Sequence, residues 1–302
     1  MNIFITGATG FVGREILGQL GRAGHTVRIL ARNPDAPEVQ ELISKHKAEV
    51  HRGNVLEPGS LRGSLEGVDA VVHLVGIISE IGQNTFENVH TRGTEYMVNA
   101  ALASGVKRFV QMSALGSRPD AVSRYHKSKW SAEEIVRASG LDYTIFRPSI
   151  IYGRGDQFVN LFVRMSRWSP VLPVMGSGEG TLQPIPVEDV AQCFVSCLTE
   201  SRSIGQTCDL CGPDILTMPE ILNAICAVTG RRRFQVRIPL PLARLLALFL
   251  EFIFPLLLRK APPLNRDQLV MIEEKTVGNG RAARELFGVV LPHFRAGLEK
   301  YL

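Results

Sequence analysis

The sequence contains no dense run of charge of either sign. Its 34 lysines and arginines face 29 aspartates and glutamates, a formal net charge of +5 over 302 residues. That balance lacks the basic tracts of a nucleic-acid binder, so no nucleic acid is expected as a partner. It suits an anionic small ligand or weak attraction to an acidic membrane surface. Cysteine is scarce, with five in the chain. The odd count, and the lack of a basic leader or cleavable apolar segment ahead of Met1-Asn2-Ile3, reads as a cytoplasmic chain with reduced thiols. Internal repeats and low-complexity tails are missing as well. No metal is expected. Cys208 and Cys211 form a CxxC, but residues three apart on a strand point to opposite faces and share an ion with difficulty. Cys193 and Cys197, four apart on an expected helix, read as small buried residues.

What is present is apolar. Hydrophobic residues make up 45% of the chain and charged residues 21%, enough to bury a sizeable core. Continuous apolar strands are expected at Asn2–Thr6, Thr26–Ala31, near Glu49–His51, and at Ala70–Val75, Arg108–Met112 and Tyr143–Arg147. Helical stretches lie between them around Val12–Arg22, Phe86–Ser104 and Tyr125–Ser139. Strands without polar alternation, separated by helices, mean a parallel sheet covered on both faces. The expected fold is α/β, a Rossmann-type doubly wound parallel sheet over residues 1–152. A smaller, mainly helical lobe follows over residues 153–302, with some later segments returning to the first domain. Proline and glycine punctuate Pro170–Pro186; a helix is expected near Glu188 and a strand near Thr207.

The first strand runs into Thr6-Gly7-Ala8-Thr9-Gly10-Phe11-Val12-Gly13 and then a helix. Gly7 permits the tight turn, Gly10 admits a pyrophosphate to the backbone, and Gly13 allows close helix–strand packing. The helix N-terminus offers free N–H groups and its positive dipole end to phosphates. The second strand ends Ala31-Arg32-Asn33, with no carboxylate to repel a 2′-phosphate and with Arg32 placed to pair with one. NADP(H) is therefore preferred over NAD(H). After the third strand, Asn54 offers a polar side chain to the adenine.

These motifs, with Tyr125-His126-Lys127-Ser128-Lys129, Arg147-Pro148-Ser149-Ile150-Ile151-Tyr152-Gly153 and Gln183-Pro184-Ile185-Pro186-Val187-Glu188-Asp189-Val190-Ala191, resemble the extended short-chain dehydrogenases/reductases over nearly the whole chain. Within that superfamily, the Leu30–Pro34 and Ala261–Leu269 stretches and the Phe86–Thr94 helix start are similar to bacterial members of the branch around the nucleotide-binding accessory subunit of respiratory complex I. The resemblance implies cofactor contacts from Gly7, Thr9, Gly10, Phe11, Val12, Arg32, Asn54, Val55, Val75, Gly76, Ser113, Tyr125, Lys129, Pro148 and Ile150. It implies Tyr125 and Lys129 as the acid/base pair, aided by Ser113. Four residues apart on a helix, the two share a face. The lysine ammonium is expected to lower the tyrosine pKa so that the phenol trades a proton with a substrate hydroxyl or carbonyl.

Three positions depart from the family pattern. Ala114 occupies the usual catalytic serine position, His90 stands where an asparagine is usual, and Ile150 replaces an asparagine of sugar-nucleotide enzymes. His90 reads most simply as a hydrogen-bonded helix residue supporting the fold. The resulting expectation is an atypical NADP(H)-binding member, either a weak carbonyl/alcohol oxidoreductase or a cofactor-holding accessory protein. The alternative is a sugar-nucleotide epimerase, dehydratase or reductase, with Arg231–Arg233 available to a diphosphate.

Leu240–Leu258 approaches the length of a membrane span, but Pro241, Arg244, Glu251 and Pro255 interrupt it. It reads either as a core helix of the second lobe or as a greasy surface for a membrane or a membrane complex, without crossing the bilayer.

Overall fold

Strand β1 (Asn2–Thr6) is apolar on both faces, and the computed structural model, which describes residues 1–302, buries both. Ile3 and Ile5 join one core layer with Ile16, Leu17 and Val72; Phe4 joins the opposite layer with Val71, Met97 and Phe109. A strand buried on both sides needs helices above and below, which crossover connections in a parallel sheet supply. The chain builds this as β1, α1 (Phe11–Arg22), β2 (Thr26–Ala31), α2 (Pro37–His46), β3 (Glu49–Arg52), β4 (Ala70–His73), α3 (Gly93–Ala103), β5 (Arg108–Met112), α4 (Arg124–Ala138) and β6 (Asp142–Pro148).

The second half is more broken. It runs β7 (Ile151–Tyr152), α5 (Val159–Trp168), β8 (Val171–Met175), β9 (Thr181–Leu182), β10 (Ile185–Pro186), α6 (Val187–Ser196), β11 (Gln206–Leu210) and β12 (Leu216–Thr217). It ends with α7 (Met218–Val228), β13 (Phe234–Ile238), α8 (Leu240–Ile253), α9 (Arg266–Glu273), α10 (Arg281–Phe287) and α11 (Phe294–Leu298). Strand β11 returns to the main sheet beside β6, and Ala283 and Phe287 of α10 return to its core. The finished sheet has seven parallel strands in the order β11-β6-β5-β4-β1-β2-β3. Strand order reverses between β4 and β1, so a crevice opens at their carboxyl ends, where doubly wound sheets bind ligands.

The smaller lobe packs Phe162, Leu172, Val174, Ile221 and Phe294 around its own centre. Three features differ from the sequence reading. Strand β13, not foreseen within the mainly helical lobe, pairs in parallel with β8. The stretch Glu87–Arg92 is wound as π-helix before α3 begins, which puts a wide turn at the crevice. Strand β4 ends at His73, and Leu74–Val75 leave the sheet.

Candidate active site

The loop between β1 and α1 is shaped by contacts that admit no side chain. Gly7 has φ +76°, a left-handed conformation that favours glycine. A Cβ on Gly13 would lie 2.2 Å from the Gly7 carbonyl oxygen and 2.8 Å from the Ala8 Cα. The first turn of α1 is therefore pressed onto the loop. Gly10 caps α1 with no side-chain hydrogen bond, and no acidic residue lies in the first turn. Those free N–H groups would receive a pyrophosphate, with Thr9 exposed, Phe11 half-buried and Val12 buried alongside. Phe11 reaches towards Gly153, where a Cβ would lie 3.5 Å from its ring.

Across the crevice, α4 carries Tyr125 and Lys129, the expected acid/base pair. Lys129 is 2% exposed, and its ammonium donates to the Met112 carbonyl at 3.2 Å, at the carboxyl end of β5. The same Nζ presses on Gly76, where a Cβ would lie 2.9 Å away. Burial pulls the Lys129 pKa down to about 8, and Glu133 opposes that only in part. The Tyr125 ring meets Phe86, His90 and His126 edge-on at 5.8, 5.4 and 5.4 Å between centroids. Burial pushes its phenol up to about 12. This corrects the expected lowering by Lys129: desolvation of the phenolate outweighs the nearby ammonium, which is itself weakened by burial. A phenol of that pKa stays protonated at neutral pH and is poised to donate.

His90 plays the bland part. Its Nε2 accepts the Ile77 N–H at 3.0 Å, so Nδ1 carries the proton and donates to the Ser128 hydroxyl at 2.8 Å. Burial, with Lys129 adding to it, holds the imidazole pKa well below its ordinary value. The ring thus fastens the Gly76–Ile77 backbone to α4. Deeper in the sheet, His73 bonds Thr6 at 2.7 Å and is pushed down to about 3, mainly by burial.

Ser113, at the carboxyl end of β5, is buried. Its hydroxyl donates to the wholly buried Glu133 at 2.5 Å, and Glu133 also holds Arg147 at 2.6 and 2.8 Å. A hydroxyl donated to a buried carboxylate is not free to polarise a substrate carbonyl. Ala114 next to it is buried and offers none. In this arrangement the hydroxyl of Ser113, an expected helper of the catalytic pair, is engaged by Glu133.

The remaining positions lie around the rim. Arg32 is exposed at the end of β2. The Asn54 side chain bonds within its own turn, accepting Leu56 N–H at 3.1 Å and donating to Glu57 at 3.1 Å. Val55 packs on Gly93, where a Cβ would lie 3.4 Å from its methyl. Pro148 is buried and accepts Leu115 N–H at 2.9 Å through its carbonyl, and Ile150 is half-buried where β6 leaves the sheet. Arg231 and Arg233, expected to be available to a diphosphate, point elsewhere. They donate to Ser166 Oγ at 2.9 Å and the Ser166 carbonyl at 2.8 Å, at the end of α5. Sequence reasoning missed Asp267, which bonds the start of α4 from the other lobe. Its only sequence signal was the Ala261–Leu269 stretch, whose target could not be read.

Residues 7–201 match the family model described as NAD(P)H-binding. The chain is 34% identical over 242 residues to the ceramide reductase of Caulobacter vibrioides, covering 79% of this chain and 74% of that protein. It is 27% identical over 296 residues to NADH dehydrogenase (ubiquinone) 1 alpha subcomplex subunit 9, mitochondrial, of Arabidopsis thaliana, covering 96% and 74%. Among solved structures, UDP-glucose 4-epimerase of Thermotoga maritima with UDP-glucose superposes with a TM-score of 0.76 at 20% identity, covering 99% of this chain and 96% of that one. That last likeness is one of fold.

Proposed function

The chain belongs to the NAD(P)H-binding family, within the extended short-chain dehydrogenase/reductase superfamily, and from that premise we propose that it is an NADP(H)-dependent carbonyl reductase acting on an amphiphilic substrate beside a membrane. The observation that carries this reading is the pair on α4: Lys129 anchored to the Met112 carbonyl at 3.2 Å, with Tyr125 one helical turn earlier. No protein group hydrogen-bonds the Tyr125 hydroxyl.

Bound nicotinamide would supply the hydride that reaches the carbonyl carbon. Tyr125 would give its phenolic proton to the carbonyl oxygen as the C=O bond becomes CH–OH. Lys129 would hold the phenolate left behind. Gly76, His90 and Ile77 would keep the floor of the site close to Lys129. Arg32, exposed and without an acidic partner, would pair with a 2′-phosphate and so favour NADP(H) over NAD(H).

Two observations support an amphiphile. Much of the helix Leu240–Leu258 is exposed, and the segment after it borders the site: Ser79 donates to the Pro262 carbonyl at 3.2 Å, and Asn265 donates to the Ile78 carbonyl at 2.8 Å. A relative is named ceramide reductase, and ceramides carry alcohols whose oxidised partners are ketones. The corresponding location is cytoplasmic and peripheral to a membrane. NADPH consumption with the keto form of a ceramide, against short water-soluble ketones, tests the proposal. Preference for the long-chain ketone supports it, and no turnover of either removes it.

A second reading, a cofactor-holding accessory protein of a membrane complex, is favoured by Ala114 and by the engagement of Ser113 with Glu133. The relative in Arabidopsis is a subunit of such an assembly. Bound cofactor that no carbonyl oxidises would support this second reading. Sugar-nucleotide chemistry is less favoured, because Arg231 and Arg233 are held at the end of α5 and only Arg232 of that trio is left exposed.

A further inference from the structure

The parallel pair β8–β13 has two unlike faces. Leu172 and Val174 point into the lobe core, and Gln235 on the same side donates to Asn223 of α7 at 2.8 Å. The register pairs Phe234 with Val171, Val236 with Pro173 and Ile238 with Met175, so these six residues share the other face. All six are apolar. At one end Ile238 and Met175 are covered by Ala243, Ala247 and Leu269 of α8 and α9. At the other end nothing covers Phe234, which is 78% exposed.

Helix α8 continues this surface. It buries only Ala243 and Ala247, while Leu245 and Phe249 are 63% and 59% exposed. It is also held sideways: Glu251 accepts the backbone N–H of Arg266 at 2.7 Å and pairs with its guanidinium at 2.8 Å. Crossing a bilayer would break that pair and strip the alanine face from α9.

Charge selects the occupant. Residues 231–260 contain seven basic residues, Arg231, Arg232, Arg233, Arg237, Arg244, Arg259 and Lys260, against one acidic residue, Glu251. That is +6 in a chain of +5, so everything outside the segment sums to −1. Arg232, Arg244, Arg259 and Lys260 are exposed and take part in no ion pair, whereas Arg237 alternates onto the Gln235 side of β13 and Glu251 is already paired with Arg266.

We propose that α8 and the outer face of the β8–β13 pair form one docking surface for the anionic headgroups and upper acyl chains of a lipid bilayer. The apolar centre enters the headgroup–acyl boundary, and the exposed cations lie at phosphate level. The inference rests on the proposed membrane location and is independent of catalysis.

The test is flotation of the full chain with vesicles of phosphatidylcholine, with and without phosphatidylglycerol. The protein should float with the anionic vesicles, much less with the neutral ones, and progressively less as salt rises. Replacing Arg232, Arg244 and Arg259 by Gln should weaken binding about 100-fold, at about fivefold per cation. Phe234→Ser and Phe249→Ser should each weaken it while leaving the melting curve unchanged, since both rings are exposed. Loss with Phe249→Ser alone would overturn the inclusion of the strand face. No flotation with anionic vesicles at low salt would overturn the surface altogether and hand it to a protein partner. Ketone reduction read in the same samples separates the two ideas: vesicle binding without reduction sinks the enzyme reading and leaves the surface standing.

Discussion

The Asp267 carboxylate accepts the backbone N–H of Tyr125 at 3.0 Å. It also accepts from Arg124 N–H at 2.7 Å and from the Ser123 hydroxyl at 2.7 Å. An acid from α9 thus completes the cap of α4 and fixes the helix start that carries the proposed proton donor. Asp267→Ala should cost about 1–2 kcal/mol of stability, because charge-assisted cap bonds are lost. It should lower kcat at temperatures well below unfolding while leaving NADPH affinity within about twofold. Steady-state kinetics beside a melting curve reads both. A drop in stability with kcat untouched would reduce Asp267 to a structural cap.

Arg32→Ala should lower NADPH affinity about tenfold to a hundredfold and leave NADH affinity nearly unchanged, since one charge-assisted pair is removed. Fluorescence titration with both cofactors decides. An unchanged preference would show that the 2′-phosphate is held elsewhere.

Two glycines of α1 should respond oppositely to alanine. At Gly13 the new Cβ meets the Gly7 carbonyl at 2.2 Å, so Gly13→Ala should destabilise by about 1–3 kcal/mol and abolish dinucleotide binding. At Gly21 nothing lies within 4 Å, so Gly21→Ala should stabilise by about 0.5–1 kcal/mol. Denaturant midpoints for the two variants give the comparison directly.

The pH profile follows from Lys129. Burial lowers its pKa from 10.5 to about 8, while Tyr125 stays protonated to about 12. Carbonyl reduction should be level below about pH 8 and fall above it, as the ammonium that holds the phenolate is lost. Lys129→Arg should move that fall upward. Between about 8 and 10.5 the unfolded lysine keeps a proton that the folded one has released, so this group makes folding stability rise with pH. Chemical denaturation at two pH values within that window checks the sign.

Strands β1, β2, β4 and β5 were legible because each is largely an apolar run, and β1, β2 and β5 have the expected bounds. Strand β13 was overlooked although Phe234–Ile238 alternates apolar and polar residues, because it is only five residues long and its partner β8 lies more than fifty residues earlier. The strand–turn–helix form of the glycine loop could be read because it is local to Thr6–Gly13. The state of Ser113 could not, since it depends on Glu133 and Arg147 meeting it across the sheet. The bland expectation for His90 held for a reason the sequence did not contain, its bonds to Ile77 and Ser128. The exposure of Leu240–Leu258 also had to come from packing: only Ala243 and Ala247 of α8 find a neighbour that buries them.

The central claim is proton donation by Tyr125 to a carbonyl of a long-chain amphiphile while hydride arrives from the cofactor. Incubation of the full chain with NADPH deuterated at nicotinamide C4, on the face that transfers, and the keto form of a ceramide in vesicles tests it most directly. Mass spectrometry of the lipid should show one deuterium at the carbinol carbon with the wild type. Tyr125→Phe should give less than about a hundredth of that label, at unchanged NADPH affinity. Label at wild-type level in Tyr125→Phe, or no label from a wild-type protein that demonstrably holds NADPH, would contradict the account.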